Sequence, residues 1–180
     1  MTQLNHGQPP GAVFQYAYTV ENIEQAMKDY GALLKIGPWF VLGPFKPSAA
    51  RYRGQPTKLE LTLAMGFSGH VMIELIQQLN DVPSVFKETI AKRGYGFHHY
   101  AITSVNFDAD LDQYRSRGFE VVFSDQLEDC RIVYLDTTAV LPGMLEIVEL
   151  TPTQAANFTR MYLASASWDG SDPVRPVTLT

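Results

Sequence analysis

The hydrophobic and polar positions of this chain follow the same order twice. Gln15-Tyr16-Ala17-Tyr18-Thr19 resembles His99-Tyr100-Ala101-Ile102-Thr103, which lies 84 residues further along. The same offset, without gaps, brings Asn22 onto Asn106 and aligns apolar residues that follow each asparagine. Each copy therefore has an alternating segment, typical of a half-buried strand, and then apolar positions at helical spacing. The sequence predicts an internal repeat.

Both copies predict a helix that begins directly after an asparagine. In the first copy Asn22 is the predicted N-cap, with Gln25 as its capping-box partner. In the second copy Asn106 is the predicted cap, and Gly118 lies where a left-handed C-terminal residue is favoured. One face of each helix is apolar: Ile23, Ala26, Met27, Tyr30 and Leu34 in the first, and Phe107, Leu111 and Tyr114 in the second.

Sequence rich in strand-forming residues follows each helix. The predicted strands cover residues 39–42, 58–66 and 71–76 in the first copy, and 119–123, 131–136 and 144–149 in the second. A helix at about 84–92 joins the copies, and another is predicted at about 153–164. Each half therefore reads β-α-β-β-β.

These elements predict an α+β fold with two tandem βαβββ modules, a curved mixed sheet around a cleft, and a C-terminal helix and tail. The length of 180 residues and a hydrophobic content of 46% suit one domain over residues 1–180. We expect module one at about 12–80, a linker helix at about 83–94, module two at about 96–150, and the helix and tail at 151–180.

Charge and cysteine content argue against several classes of protein. The net charge of −5, without any Lys/Arg run, argues against a nucleic-acid partner. No apolar stretch approaches the roughly 20 residues of a membrane span, and the start has no leader pattern. We therefore expect a cytoplasmic protein without a membrane partner. Cys130 is the only cysteine, which excludes an internal disulfide and a cysteine-rich zinc site.

A polar residue interrupts the inward face of four predicted strands. These residues are Gln15, Glu74, His99 and Glu146. Because side chains alternate along a strand, each of them shares its face with apolar neighbours. Gln15 and Glu74 lie on the first and last strands of module one, and His99 and Glu146 lie on the same strands of module two. The repeat can therefore bring all four together near a pseudo-twofold axis.

The chemistry of these four side chains suits a divalent metal ion. Two carboxylates, one imidazole and one amide oxygen are compatible with Zn, Co, Ni, Mn or Fe, with further positions left for water or substrate oxygens. A closed structural zinc site more typically uses Cys and His. A buried carboxylate without a partner is costly, so two on inward faces call for a cation. The predicted cofactor is a divalent metal ion.

Four stretches of the chain carry a family pattern: residues 15–20 (QYAYTV), 73–77 (IELIQ), 94–99 (GYGFHH) and 143–148 (GMLEIV). Through them, about 12–150 resembles the vicinal oxygen chelate superfamily, most closely its glyoxalase-like and methylmalonyl-CoA epimerase-like branch. The family's metal positions fall on Gln15, Glu74, His99 and Glu146. His99 matches the family's second histidine, so we expect His98 to face the other way.

Gln15 departs from a common pattern of this family. Its epimerases and ring-cleaving dioxygenases usually have a histidine there, and the dioxygenases hold Fe(II) with two histidines and a carboxylate. Gln15 therefore argues against oxygen activation. A Gln/Glu/His/Glu set resembles that of some glyoxalase I enzymes, which isomerise by proton transfer.

These features predict a metal-dependent isomerase or epimerase that acts on a small molecule at a carbon adjacent to a carbonyl. The alternatives are a glyoxalase I-type lyase and a non-catalytic binding protein that sequesters small molecules, as bleomycin resistance proteins do. A homodimer is a further expectation from the resemblance, since paired modules of this kind often dimerise. A coenzyme A ester would favour basic residues at the pocket mouth, and the candidates by proximity in sequence are Lys46, Arg51, Arg53 and Lys58.

Glu60 resembles in position the second catalytic carboxylate of methylmalonyl-CoA epimerases. The resemblance therefore implies Glu60 and Glu146 as two bases, one to remove a proton from a carbon acid and one to return it.

The turn after the Glu60 strand decides whether Glu60 faces the cleft. A three-residue loop at 67–69 would pair Thr62 with Glu74 and turn Glu60 inward. A two-residue loop at 68–69 would pair Leu63 with Glu74 and turn Glu60 outward. The sequence allows both loops, and we favour the inward arrangement.

Overall fold

The computed structural model describes Leu4 and residues 7–127 and 129–177, so the outermost residues of the expected 1–180 domain lie outside the described part. Within it, eleven strands form one mixed sheet, accompanied by four helices. The helices are α1 (Ile23–Leu34), α2 (Val85–Arg93), α3 (Phe107–Ser116) and α4 (Pro152–Ala166). The strands are β1 (Val13–Thr19), β2 (Trp39–Phe45), β3 (Arg51–Tyr52), β4 (Gln55–Pro56), β5 (Leu61–Ser68), β6 (Val71–Gln78), β7 (Gly96–Ser104), β8 (Val121–Leu127), β9 (Cys130–Leu135), β10 (Met144–Glu149) and β11 (Val174–Pro176).

The eight central strands repeat one order on either side of a single junction. Module one runs β1-β6-β5-β2, and module two runs β7-β10-β9-β8. The modules meet where β1 pairs antiparallel with β7. Within each module the first strand pairs in parallel with the last, β1 with β6 and β7 with β10. The predicted α+β fold with two βαβββ modules is confirmed.

The register across the junction makes the two modules equivalent. Gln15 lies opposite Ala101, and Ala17 lies opposite His99. Since Gln15 and His99 hold the same position in the repeat, as do Ala17 and Ala101, the pairing is symmetrical. A pseudo-twofold axis therefore passes between β1 and β7, as the offset in the sequence predicts.

The helices α1 and α3 begin at the predicted asparagines, but only the first asparagine acts as a cap. The side chain of Asn22 accepts a hydrogen bond from the backbone N–H of Gln25 at 2.9 Å, whereas the Gln25 amide donates to Asp29 rather than back to the cap. Asn106 makes no capping hydrogen bond with its side chain. Its own N–H donates to Ser104 Oγ instead. The serine therefore organises the start of α3.

The hairpin between β5 and β6 turns at Gly69 and His70, later than either predicted turn. Gly69 has a φ of +59°, a conformation that glycine adopts without steric cost. Ser68 then pairs with Val71, and Met65 lies opposite Glu74. Both predicted registers are therefore wrong. The observed register nevertheless places Glu60 on the face that the two-residue loop predicted, which is away from Glu74.

Two segments of the chain leave their own module and pair with the edge strand of the other module. The hairpin of β3 and β4 leaves module one and pairs with β8 of module two. The chain after module two forms α4, which packs against β5, and then β11, which pairs in parallel with β2. Helix α4 matches its predicted range, whereas the sequence did not predict β3, β4 or β11. Of these segments, α4 contributes residues to the lining of the cavity between the modules.

Candidate metal centre

The four polar residues predicted to meet lie on the four central strands β6, β1, β7 and β10. Gln15, Glu74, His99 and Glu146 are all buried, with exposed fractions of 4%, 7%, 0% and 5%. Two alanines with no exposed surface lie between them: Ala17 pairs with both Glu74 and His99, and Ala101 pairs with both Gln15 and Glu146. The small alanine side chains allow the longer polar ones to converge.

The polar atoms of these residues approach one another closely. Gln15 Nε2 donates a hydrogen bond to Glu74 Oε2 at 2.9 Å. His99 Nε2 lies 3.1 Å from Glu146 Oε2 and 3.7 Å from Glu74 Oε2. The structure therefore brings together the four side chains singled out in the sequence, and their role as metal ligands stays a prediction. We call them the four-residue cluster.

A chain of hydrogen bonds fixes the protonation of His99. His98 Nε2 faces the carbonyl oxygen of Val85 at 3.4 Å, and a carbonyl can only accept. His98 therefore carries its hydrogen on Nε2, because burial lowers the pKa of His98 well below 6.5 and keeps it neutral. Its Nδ1 then accepts from His99 Nδ1 at 2.8 Å. This leaves the lone pair of His99 on Nε2, facing the two carboxylates.

The cluster places two carboxyl groups in a buried environment. Burial raises the pKa of Glu74 well above its usual value, and the charge of Glu146 raises it further. Burial likewise raises the pKa of Glu146, while a hydrogen bond with Tyr134 opposes this effect. Burial lowers the pKa of His99 to about 3. A protonated imidazole is therefore not the cation that balances the carboxylates.

The donor set fits a divalent metal ion. His99 Nε2 has no hydrogen-bond partner among the described residues, although it is fully buried. Metal–nitrogen and metal–oxygen bonds of about 2.0–2.2 Å place neighbouring donors roughly 3 Å apart, comparable with the 3.1 Å between His99 and Glu146. In the described part of the chain, no three His, Cys, Asp or Glu side chains are already spaced as a metal site. The fit therefore rests on donor chemistry and on the unpartnered His99 nitrogen.

The structure does not bring Glu60 to this cluster, which corrects the favoured inward arrangement. Glu60 precedes β5, and its carboxylate lies 3.7 Å from Lys46 Nζ with a third of the side chain exposed. Because Met65 lies opposite Glu74, the β5 residues on the face of Glu74 are Met65 and those two positions apart from it. Glu60 falls in the alternate set. Alternation along β5 therefore assigns it to the other face of the sheet.

Two supporting residues were missed or undervalued in the sequence. The sequence predicts that His98 faces the other way, whereas its ring hydrogen-bonds directly to that of His99. Tyr134 lies opposite Glu146 in β9, hydrogen-bonds to it, and has its ring centroid 4.7 Å from that of His99. Only the register of β9 against β10 reveals that Tyr134 lies opposite Glu146. The pattern of a single strand does not contain this information.

A cavity of about 370 Å³ opens beside the cluster. Gln15, Glu74, Glu146 and Tyr134 line one end of it. The remaining walls come from β2, β5, β8 and β9, from α4, and from the turn at Lys46. The cluster is thus accessible to a small molecule.

Residues 14–134 match the profile of the Glyoxalase/Bleomycin resistance protein/Dioxygenase superfamily. This match covers more than half of the chain, so the protein belongs to that superfamily, which confirms the resemblance drawn from the sequence. No curated protein matches the chain.

Solved structures of similar fold include methylmalonyl-CoA epimerases. The Mycobacterium tuberculosis methylmalonyl-CoA epimerase has 20% identity and a TM-score of 0.58, with 83% of this chain and 95% of that chain covered. A hypothetical protein from Bacillus halodurans C-125 has 20% identity and a TM-score of 0.57, with 78% and 94% covered. A variant of the Streptomyces coelicolor methylmalonyl-CoA epimerase, in complex with 2-nitronate-propionyl-CoA, has 18% identity and a TM-score of 0.56, with 79% and 96% covered. At these identities the likeness concerns the fold.

None of the helices in the described part of the chain is long and apolar enough to cross a membrane.

Proposed function

We propose that this protein is a metal-dependent isomerase or epimerase that transfers a proton at a carbon adjacent to a carbonyl. The observation that carries the proposal is the buried His99 Nε2 lone pair, which faces carboxylate oxygens of Glu146 and Glu74 at 3.1 and 3.7 Å. Two buried carboxylates and an imidazole lone pair form a donor set suited to a divalent cation.

Gln15, Glu74, His99 and Glu146 would hold the metal ion, which we propose to be Zn, Co, Ni, Mn or Fe. Gln15 would turn its amide oxygen toward the ion, in place of the hydrogen bond it now donates to Glu74. A bound divalent ion would polarise the carbonyl of the substrate and stabilise negative charge on its oxygen. This makes the neighbouring C–H bond more acidic.

Glu146 is the proposed base. It lines the cavity beside the four-residue cluster, so its carboxylate can accept a proton from a bound carbon acid and return it. Glu74 holds the same position in module one, across the pseudo-twofold axis. It can therefore serve as the second carboxylate, the role that the sequence assigned to Glu60.

Two observations support an enzyme of this class. The superfamily includes glyoxalases, and solved structures of similar fold are methylmalonyl-CoA epimerases, one of them in complex with methylmalonyl-CoA. The cavity beside the cluster is large enough for a small-molecule substrate. A glyoxalase I-type lyase would share this chemistry, and a sequestering protein would share the cavity alone.

Metal analysis of the purified protein tests the proposal. We expect about one divalent ion per chain, lost from His99→Ala because its unpartnered nitrogen is the strongest neutral donor. His70→Ala is the matched control, since His70 is exposed and lies outside the cluster. Metal-free protein that still binds small molecules would identify a sequestering protein instead.

Proton exchange then tests the reaction. In deuterated water, NMR should show deuterium entering the α-carbon of small α-branched carbonyl compounds in the presence of the metal-loaded protein. Exchange should be abolished in Glu146→Gln and retained in Glu60→Gln. Full exchange in Glu146→Gln would overturn the assignment of the base.

A further inference from the structure

The cavity beside the four-residue cluster is lined by polar groups and by a larger apolar surface. Gln15, Glu74 and Glu146 of the cluster contribute polar lining, and the other polar lining residues are Lys46, Ser48, Gln126, Gln154 and Asn157. The apolar lining includes Leu63, Met65, Ile132, Val148, Phe158 and Met161. A ligand that fills this space therefore has a polar group at the cluster and a mainly apolar remainder.

Helix α4 forms one wall of the cavity, which we call its roof, and is packed against module one. Phe158 is buried against Phe14, with ring centroids 5.2 Å apart, and Met161 is only 2% exposed. Tyr162 packs on Phe67 with ring centroids 5.6 Å apart. Because these side chains anchor the helix on module one, the apolar walls exist before a ligand binds.

Asn157 places an unpaired donor in this roof. The residue lines the cavity and is 3% exposed. Its Oδ1 accepts a hydrogen bond from Arg160 Nη2 at 3.2 Å, whereas its Nδ2 has no hydrogen-bond partner among the described residues. A buried donor without an acceptor is unfavourable and rare. A ligand oxygen would satisfy it.

The mouth of the cavity offers little to a nucleotide-bearing substrate. Of the four basic residues considered for a coenzyme A ester, only Lys46 lines the cavity, and it lies 3.7 Å from Glu60. Arg53 forms an ion pair with Glu88 at 2.8 Å. A volume of about 370 Å³ is at the low end for small-molecule pockets. Size and charge both favour a compact ligand.

We propose that the cavity binds a compact, mainly apolar carbonyl compound, and that Asn157 selects it by donating a hydrogen bond to an oxygen acceptor of that compound. This inference names the substrate class of the proposed isomerase. It rests on the proposed function for the reaction that the bound compound undergoes, but not for the binding itself. Coenzyme A esters are excluded from the class.

Acetophenone and ethylbenzene are suitable probes, because they have nearly the same shape and differ in one carbonyl oxygen. Binding to the full chain is measured by ligand-observed NMR and calorimetry, before and after treatment with a chelator. We expect acetophenone to bind roughly five- to tenfold more tightly than ethylbenzene in the chelated protein, the range of one hydrogen bond. Asn157→Leu, of similar volume, should abolish this preference while ethylbenzene still binds. Retained ethylbenzene binding shows that the variant is folded.

A second pair of variants tests the location of the ligand. Met161→Trp should fill the cavity and remove binding of both probes, whereas Leu163→Trp, on an exposed position of the same helix, should leave binding unchanged. An unchanged preference in Asn157→Leu would overturn the proposal. So would tighter binding of propionyl-CoA than of acetophenone. These binding measurements are made on chelated protein and do not depend on metal or on catalysis. A negative result therefore contradicts the proposed ligand class without contradicting the proposed function.

Discussion

Modules one and two place equivalent residues at the cluster but support them differently. Gln15 and Glu74 of module one correspond to His99 and Glu146 of module two. In the repeat, the residue before the first-strand member of the cluster is Phe14 in module one and His98 in module two. In the sheet, Met65 lies opposite Glu74 where Tyr134 lies opposite Glu146.

The difference is therefore one of hydrogen bonding rather than of position. Module two orients its cluster residues with polar neighbours: His98 bonds to His99, and Tyr134 bonds to Glu146. Module one surrounds its cluster residues with apolar neighbours, and Gln15 bonds directly to Glu74. Groups that orient metal ligands typically change affinity as much as tenfold or more. A symmetrical backbone thus carries an asymmetrical site.

The largest predicted effect comes from exchanging the two first-strand ligands. The double variant Gln15→His with His99→Gln retains every type of donor. We expect its zinc affinity to fall by about 100-fold, because a histidine at position 15 has Phe14 beside it in place of the acceptor that His98 provides. Competition with a chromophoric chelator measures this. Affinity within threefold of the natural protein would show that the two modules support metal equally.

A smaller effect should follow from replacing the support alone. His98→Phe gives module two the residue of module one, and the neighbouring rings of Phe86 and Tyr134 accommodate it. We expect zinc affinity to fall about tenfold, because His99 Nδ1–H is left without an acceptor and the imidazole is no longer held in one tautomer.

Two further variants act as controls for this loss. Phe14→Leu in module one should keep the affinity of the natural protein, and His98→Gln, with an amide oxygen as acceptor, should recover part of it. Equal losses in Phe14→Leu and His98→Phe would assign both effects to packing.

A third predicted effect is a dependence of stability on pH in chelated protein. Glu74 and Glu146 have raised pKa values in the folded state, so between their unfolded and folded values the folded protein holds more protons than the unfolded chain. Stability then falls as pH rises. The lowered pKa of His99 has the opposite effect, but only below about pH 6.5, where the unfolded histidine is protonated. From pH 6.5 to 8 we expect a fall of about 1–2 kcal/mol in the free energy of unfolding.

Urea denaturation at several pH values measures this fall. Glu74→Gln should flatten the dependence, and the exposed Glu24→Gln should not. Zinc should oppose it, because the metal binds the ionised carboxylates and its affinity rises with pH. A flat profile in the chelated natural protein would contradict the raised pKa values.

Much of the fold was predictable because each copy of the repeat consists of patterns within short segments of the chain. Alternation along β1 and β7, and apolar spacing along α1 and α3, are properties of short segments, and each recurs at the same offset. The shared facing of the four polar residues was predictable for the same reason, since each interrupts the inward pattern of its own strand. The orientation of the Glu60 side chain was not predictable, because it depends on which residues form the turn between β5 and β6. A turn at Gly69 and His70 sends the opposite set of β5 side chains toward Glu74.

The sequence by itself determined the two-module α+β fold and which four polar side chains stand at equivalent positions. Tertiary structure alone decided their supports and the surroundings of the ligand. His98 and Tyr134 act through neighbours on other strands, and β3, β4 and β11 are too short to leave a periodic pattern. Asn157 enters the cavity only because α4 folds back onto β5 of module one. Contacts between residues distant in the chain fix these features, and no local periodicity records them.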